Sequence, residues 1–201
     1  MIDKNLEEYR KKSKHQIEIE NLSLADYVTK EVLTENQYKV IKEEFLNKKN
    51  FLIIGKTYTG KSTLVEKFLK EILFKDCIVV KMFDDISSIK SLENTKATNK
   101  RIIIDELSTI NFPVFSDLWG KERHQGGIVV VNSSSIHNSI KFMELLKKQS
   151  HSNLTLERIL DRNIHYIIQL DRDELTNEIK VINMKKVSGF RSGYYLFRPI
   201  I

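Results

Sequence analysis

The period of the apolar positions changes along the chain. In the first fifty residues the spacing is helical: Leu24, Tyr27, Val28 and Val32 follow a Ser23/Asp26 pair, and Tyr38, Ile41 and Phe45 follow Thr34/Gln37. In each pair a hydroxyl and a longer polar side chain three residues on can satisfy each other's backbone N–H groups, which marks a helix start. The turn Asn47-Lys48-Lys49-Asn50 ends this lead-in. From Phe51 onward, short uniformly apolar runs alternate with helical patterns. The runs are Phe51–Ile54, Cys77–Phe83 closed by Asp84-Asp85, Arg101–Ile104, and Ile128–Val131 opened by Gly126-Gly127. Between them, Leu64, Phe68 and Ile72 mark one helix. Asn111 with Pro113, Val114, Phe115, Leu118 and Trp119 marks another, and Ile136, Ile140 and Met143 a third. The polar stretch 87–100 predicts one short helix and a mobile loop. Apolar runs alternating with helices predict an α/β fold, a mostly parallel sheet flanked by helices on both faces. The end of the chain differs: Ile164–Leu170, Glu178–Val187 and Tyr194–Pro199 read as antiparallel strands, separated by Asp171-Arg172-Asp173 and by Ser188-Gly189. The expected organisation is a helical lead-in over 1–50 and one core domain over 51–201.

Composition narrows the setting. A chain of 201 residues with 41% hydrophobic content can bury one full α/β core. Its longest apolar runs of four or five residues fall far short of the roughly 18 that a membrane-spanning helix needs. The N-terminal Met-Ile-Asp-Lys-Asn-Leu-Glu-Glu-Tyr-Arg lacks an export signal's apolar stretch, and the single cysteine, Cys77, offers no disulfide. Together these predict a cytoplasmic protein. The net charge of +6 is carried by lysines scattered among acidic residues, with no basic stripe interleaved with aromatics evident along the sequence. Direct nucleic-acid binding is therefore left open, alongside attraction to an anionic membrane face or an acidic partner.

The chemistry lies at the ends of the predicted strands. Gly55-Lys56-Thr57-Tyr58-Thr59-Gly60-Lys61-Ser62-Thr63 follows an apolar strand and opens a helix. In that context the glycines let successive backbone N–H groups turn inward around a phosphate, and the helix presents its positive end to the same anion. Lys61 reaches the β- and γ-phosphates of a nucleotide and the Ser62 hydroxyl holds Mg²⁺. ATP and Mg²⁺ are the expected ligands. Ile102-Ile103-Ile104 runs into Asp105-Glu106. In P-loop ATPases such a strand is expected beside the first, with Asp105 orienting Mg²⁺ and Glu106 polarising the attacking water. Asn132 ends the fourth predicted strand. It reads either as a residue bridging the γ-phosphate or the water, or as a helix cap. Arg123 and Arg158 are candidates for an arginine finger. His124, in a polar loop before Gly126-Gly127, reads as a solvated histidine and not a catalytic one, and His137, His151 and His165 show no metal-ligand spacing.

With these positions in hand, residues 34–201 resemble the secretion and conjugation traffic ATPases, the P-loop motors of type IV secretion with relatives in type II secretion and pilus systems. The resemblance runs in order through Leu33-Thr34-Glu35-Asn36-Gln37, Lys49–Gly55, the phosphate loop, Val79–Asp85, Arg101–Leu107, Trp119–Ile140 and Arg158-Ile159-Leu160. It ends with Ile164–Leu170 and Val187-Ser188-Gly189 to Gly193-Tyr194-Tyr195-Leu196. It implies a RecA-like P-loop core that hydrolyses ATP, with Glu106 as the catalytic glutamate. It also implies a ring-type homo-oligomer or an assembly with secretion-complex proteins, and peripheral association with the inner face of the membrane. The chain departs from the family pattern at Tyr58 and Asp105, both usually glycine, at Leu107-Ser108 in place of an arginine, and at Asn132 in place of a histidine. Only about fifty residues precede the phosphate loop, where the family has a separate domain. Two other readings suit some of the same residues: a small helicase-loader-like AAA-type ATPase associated with DNA, and a nucleotide-dependent scaffold without turnover. A loader is expected to finish in a helical lid rather than in strands.

Overall fold

A computed structural model describes residues 22–72, 78–82, 100–119, 126–150, 155, 160, 163–191 and 194–201. The expected features at Cys77, Phe83–Asp85, most of 87–100, Arg123, His124, His151 and Arg158 lie outside the described residues. In chain order the elements are α1 (Asp26–Thr29), α2 (Glu35–Leu46), β1 (Phe51–Gly55), α3 (Lys61–Ile72), β2 (Ile78–Met82) and β3 (Lys100–Ile104). They continue with α4 (Phe112–Trp119), β4 (Ile128–Asn132), α5 (Ile136–Ser150), β5 (Tyr166–Arg172), β6 (Ile179–Arg191) and β7 (Tyr194–Pro199).

The strands form one sheet in the order β2-β3-β4-β1-β5-β6-β7. The pairs from β2 to β5 are parallel, whereas β5–β6 and β6–β7 are antiparallel. The mostly parallel sheet with an antiparallel end is thus as expected, with three differences. β3 does not lie beside β1: β4 stands between them, pairing with both. This leaves one strand's width between the phosphate loop and the Asp105-Glu106 pair. Ser188-Gly189 does not separate two strands, because β6 continues through it to Arg191 with a register shift between Val187 and Gly189. An extra residue can be absorbed as a bulge without ending the pairing, so a Ser-Gly pair is an ambiguous stop signal. Finally, β5 is antiparallel only to β6 and joins the parallel part through β1.

Two cores cover the two faces. On one, Leu24, Tyr27, Ile41 and Phe45 of the lead-in pack with Phe51, Ile53, Phe68, Tyr166 and Ile168. The Phe45 and Phe68 rings meet edge to face at 5.7 Å, and Phe51 stacks on Tyr166 at 5.2 Å. On the other face Leu52, Ile54, Ile102, Ile104, Val129 and Val131 pack with Phe112, Phe115 and Met143. Alternate β1 residues enter opposite cores, which explains why the run carries no polar alternation.

The helix starts follow the capping chemistry. Thr34 Oγ1 accepts the Gln37 N–H at 3.1 Å while Gln37 Oε1 accepts the Thr34 N–H at 3.0 Å. The Ser23/Asp26 pair forms as well, at 2.7 and 3.2 Å. Its helix is only the four residues Asp26–Thr29, because the chain turns at Glu31 with φ +58° before Val32.

Candidate functional site

The carboxyl ends of β1, β4 and β3 converge on one crevice, the location at which open α/β sheets bind ligands. The loop from β1 is shaped by two glycines. Gly60 has φ +78°, and a Cβ on Gly55 would collide with Thr59 Oγ1 and stand 2.8 Å from the Leu170 carbonyl oxygen. Thr59 is buried and its hydroxyl donates to the Lys56 carbonyl at 2.8 Å, closing the loop on itself. Tyr58 adopts φ +64° with its side chain 83% exposed. The loop therefore keeps a left-handed residue at a position occupied by a bulky L side chain, at a local cost of about 1–2 kcal/mol. Lys56 and Thr57 are exposed, as is Ser62 in the first turn of α3, with Thr63 half-buried behind it. The first helical hydrogen bond, Leu64 N–H to Gly60 O at 2.9 Å, leaves the N–H groups of the preceding residues outside the helix's own ladder and available to an anion.

Lys61 is 8% exposed, and its Nζ donates to Lys56 O at 2.6 Å and to Asn132 Oδ1 at 2.7 Å. Burial lowers its pKa, and the Glu106 and Asp105 carboxylates act in the opposite direction. Asn132 sits opposite Gly55 in the β1–β4 register. Its Nδ2 donates to Glu106 Oε1 at 3.1 Å. One amide thus spans the gap that β4 opens between the loop and Glu106. The helix-cap reading of Asn132 is met by another residue: Ser135 Oγ accepts the Asn138 N–H at 3.1 Å at the start of α5.

Asp105 is half-buried, and its Oδ1 is fully shielded with no hydrogen-bond partner among the described residues. A buried carboxylate oxygen without a donor is costly unless a cation or water meets it. The next residues lock this corner. Leu107 is buried and donates its N–H to Val130 O at 2.9 Å, so the position after Glu106 serves the core and not the crevice.

Several residues that organise the crevice, or the opposite end of the same strands, gave no clear sign in the sequence. Asn111 stands before α4 as expected, but its side chain turns back to accept from Ser108 N at 2.8 Å and donate to Glu106 O at 2.8 Å. Asn50, expected only as a turn residue, accepts from Gly126 N and Gly127 N at 2.6 and 2.8 Å and donates to Asn163 O at 2.7 Å. Its own N–H goes to His165 Nδ1 at 3.1 Å. Burial pushes the His165 pKa down to about 4, with Lys49 adding to the effect. Gln169 donates to Ser134 O at 3.0 Å and accepts from Asn183 at 3.1 Å. It interrupts an otherwise apolar run, which is a signal the sequence did carry. Among the described residues no cluster of His, Cys, Asp and Glu has metal-site geometry, and no helix is long and apolar enough to cross a membrane.

Fold and crevice define an α/β protein with a glycine-shaped loop, a buried lysine and two carboxylates at the carboxyl ends of neighbouring strands. Comparison with known proteins gives the class a family context. The chain is 20% identical over 195 residues to the conjugal transfer protein TrbB of Rhizobium radiobacter. It shows the same identity and span with a probable conjugal transfer protein TrbB of Sinorhizobium fredii. The matches take in 87% of this chain and 59% of each relative, so the chain spans well under two thirds of their length. The VirB11 ATPase of the Brucella suis type IV secretion system, solved with sulphate, shares the fold, with a TM-score of 0.59 at 14% identity over 90% of this chain and 62% of that one. No family model matches the chain. The resemblance to the secretion and conjugation traffic ATPases, carried in the sequence by separate motifs, thus extends along most of the chain and to its fold.

Proposed function

We propose that this chain is the RecA-like P-loop core of an ATP-binding and ATP-hydrolysing motor that serves a type IV secretion or conjugative transfer system. The observation that carries the reading is the Lys61–Asn132–Glu106 chain of hydrogen bonds across the mouth of the loop. It links the residue that would hold phosphate to the residue that would activate water. The strand order supports it, since β4 between β1 and β3 leaves a strand's width for a water between phosphate and carboxylate.

The residues suit Mg²⁺ with a nucleoside triphosphate. The orphaned Asp105 Oδ1 and the exposed Ser62 hydroxyl are hard oxygen donors flanking Lys61. Held by these oxygens, the metal would supply positive charge that offsets the charge developing as the terminal phosphoryl group leaves. The loop N–H groups from Lys56 to Thr63 cradle the β-phosphate. Lys61 exchanges its present acceptors, Lys56 O and Asn132 Oδ1, for phosphate oxygens. The Asn132 amide, released from Lys61, positions the water or a γ-phosphate oxygen. Glu106 accepts a proton from that water as its oxygen attacks phosphorus and the β–γ anhydride bond breaks, giving ADP and inorganic phosphate. Lys61, Glu106 and Asn132 are the proposed catalytic set.

Assembly as a ring, docking to secretion-complex proteins and contact with the inner face of the membrane belong to the same proposal, and the relatives' names support only its secretion and conjugation setting. The loader-like alternative gains no support from β5, β6 and β7, which are strands where it expects helices. Titration with a fluorescent ATP analogue tests the reading. Lys61→Ala is expected to abolish most affinity with an unchanged far-UV circular dichroism spectrum; unchanged affinity in a folded variant would overturn the assignment.

A further inference from the structure

Residues 179–201 contain Lys180, Lys185, Lys186, Arg191 and Arg198 and no aspartate or glutamate, in a chain whose net charge is +6. Along the sequence these cations look scattered, but the β6–β7 hairpin sorts them. The register pairs Lys186 with Arg198, Gly189 with Leu196 and Arg191 with Tyr194. Because successive side chains alternate, Tyr194, Leu196 and Arg198 share one face of β7. Their neighbours on β6 add Lys186 and Arg191 to it. The opposite face is taken: Val187, Tyr195 and Phe197 pack against the second core. On the free face Tyr194 is 75% and Leu196 45% exposed, and Lys186, Arg191 and Arg198 are all exposed. Toward the sheet interior the strip ends at Tyr166, over whose ring Lys186 Nζ lies at 5.8 Å. Around that end, Lys49 adds a further cation, and Glu44 is a carboxylate already accepting a hydrogen bond from the Tyr166 hydroxyl.

We propose that this face of the β6–β7 hairpin binds a single-stranded polynucleotide, with Lys186, Arg191 and Arg198 on phosphates and Tyr194 stacking on a base. Within 179–201 the formal charge is all of one sign and complementary to phosphate. Alternate β7 residues step by about 7 Å, so cations at the two ends flank an aromatic and an aliphatic platform within reach of successive nucleotides of an extended strand. A cationic track with an upstanding aromatic is the arrangement that holds single strands without sequence preference. A bilayer interface would accept the cations and the Tyr194 ring as well, but only a strand of bases offers that ring a stacking partner. This site lies apart from the phosphate loop and does not depend on ATP turnover.

Fluorescence anisotropy of labelled twelve-residue oligothymidylate and oligouridylate with the full chain tests the proposal, with the two probes distinguishing DNA from RNA as the source of the strand. Three phosphate contacts imply an affinity loss of about 18-fold between 50 and 200 mM salt. Arg191→Ala with Arg198→Ala is expected to weaken binding at least ten-fold and flatten that salt dependence. Tyr194→Ala should weaken binding about ten-fold with the salt dependence kept, and Tyr194→Phe should restore it. Thermal melts confirm that each variant is folded. The proposal is overturned if the wild-type chain binds neither oligonucleotide at 50 mM salt, or if folded variants bind as wild type does. It is also overturned if phosphatidylglycerol vesicles, and not oligonucleotides, are bound in an Arg191- and Arg198-dependent way.

Discussion

Replacing Asn132 by alanine separates the two ends of the crevice without touching either. The amide now accepts from Lys61 at 2.7 Å and donates to Glu106 at 3.1 Å. A hydrogen bond to a charged group contributes about 1.5–3 kcal/mol where water is excluded. Asn132 lies at an exposed strand end, so water replaces much of each bond in the resting protein. The expected loss of stability is therefore under about 1 kcal/mol. During hydrolysis the balance changes, because a donor fixed at the reacting centre acts in a site closed over the nucleotide. Losing one such donor costs about 10–100-fold in rate, the low end for a positioned group. ATP affinity should stay within about three-fold, since the loop N–H groups and Lys61 remain. The assay is phosphate release under saturating Mg-ATP, with affinity from a separate titration. Asn132→His should recover part of the rate by restoring a donor. Full activity in Asn132→Ala would refute the bridging role, and a fall in affinity with the saturated rate unchanged would assign Asn132 to binding alone.

Other consequences can be measured directly. Tyr58→Gly should unfold at higher urea than Tyr58→Ala by about 1 kcal/mol, because only glycine relieves the φ of +64°; equal stabilities would show that the loop relaxes. His165 has its folded pKa depressed to about 4 from an ordinary 6.5. The unfolded chain binds the proton more tightly, so the stabilising contribution is complete above pH 6.5 and is lost as pH falls from there to about 4. Urea midpoints at pH 7 and pH 5 should therefore differ in the wild type and differ less in His165→Gln. Asn50→Ala leaves the Gly126 and Gly127 N–H groups and the Asn163 carbonyl without their partner. It should destabilise by about 3 kcal/mol or more, read by chemical denaturation; a loss under about 1 kcal/mol would mean water replaces the amide.

The elements were legible where local chemistry decides them. Thr34/Gln37 marked the start of α2, and apolar runs without alternation marked strands buried on both faces. The phosphate loop, Asp105 and Glu106 were legible as residue types at strand ends. What the sequence could not show was which strands are neighbours, because strand order depends on crossovers between distant segments. That is why β3 was expected beside β1, and why the gap spanned by Asn132 was not foreseen. Asn50 and Asn111 were hidden for a related reason: each serves backbone groups that only tertiary folding brings near. The charge segregation on β6–β7 was visible as composition, yet only the register places Arg198, Leu196 and Tyr194 on one face.

The most direct test of the account is single-site: Glu106→Gln, with ATP binding and phosphate release measured on the same folded preparation. The amide keeps the carboxylate's size and can still meet Asn132, but it cannot accept the water's proton. The expected result is ATP affinity within a few-fold of wild type and turnover lowered by at least about 100-fold. Wild-type turnover by Glu106→Gln, or a wild-type chain that binds no ATP, would contradict it.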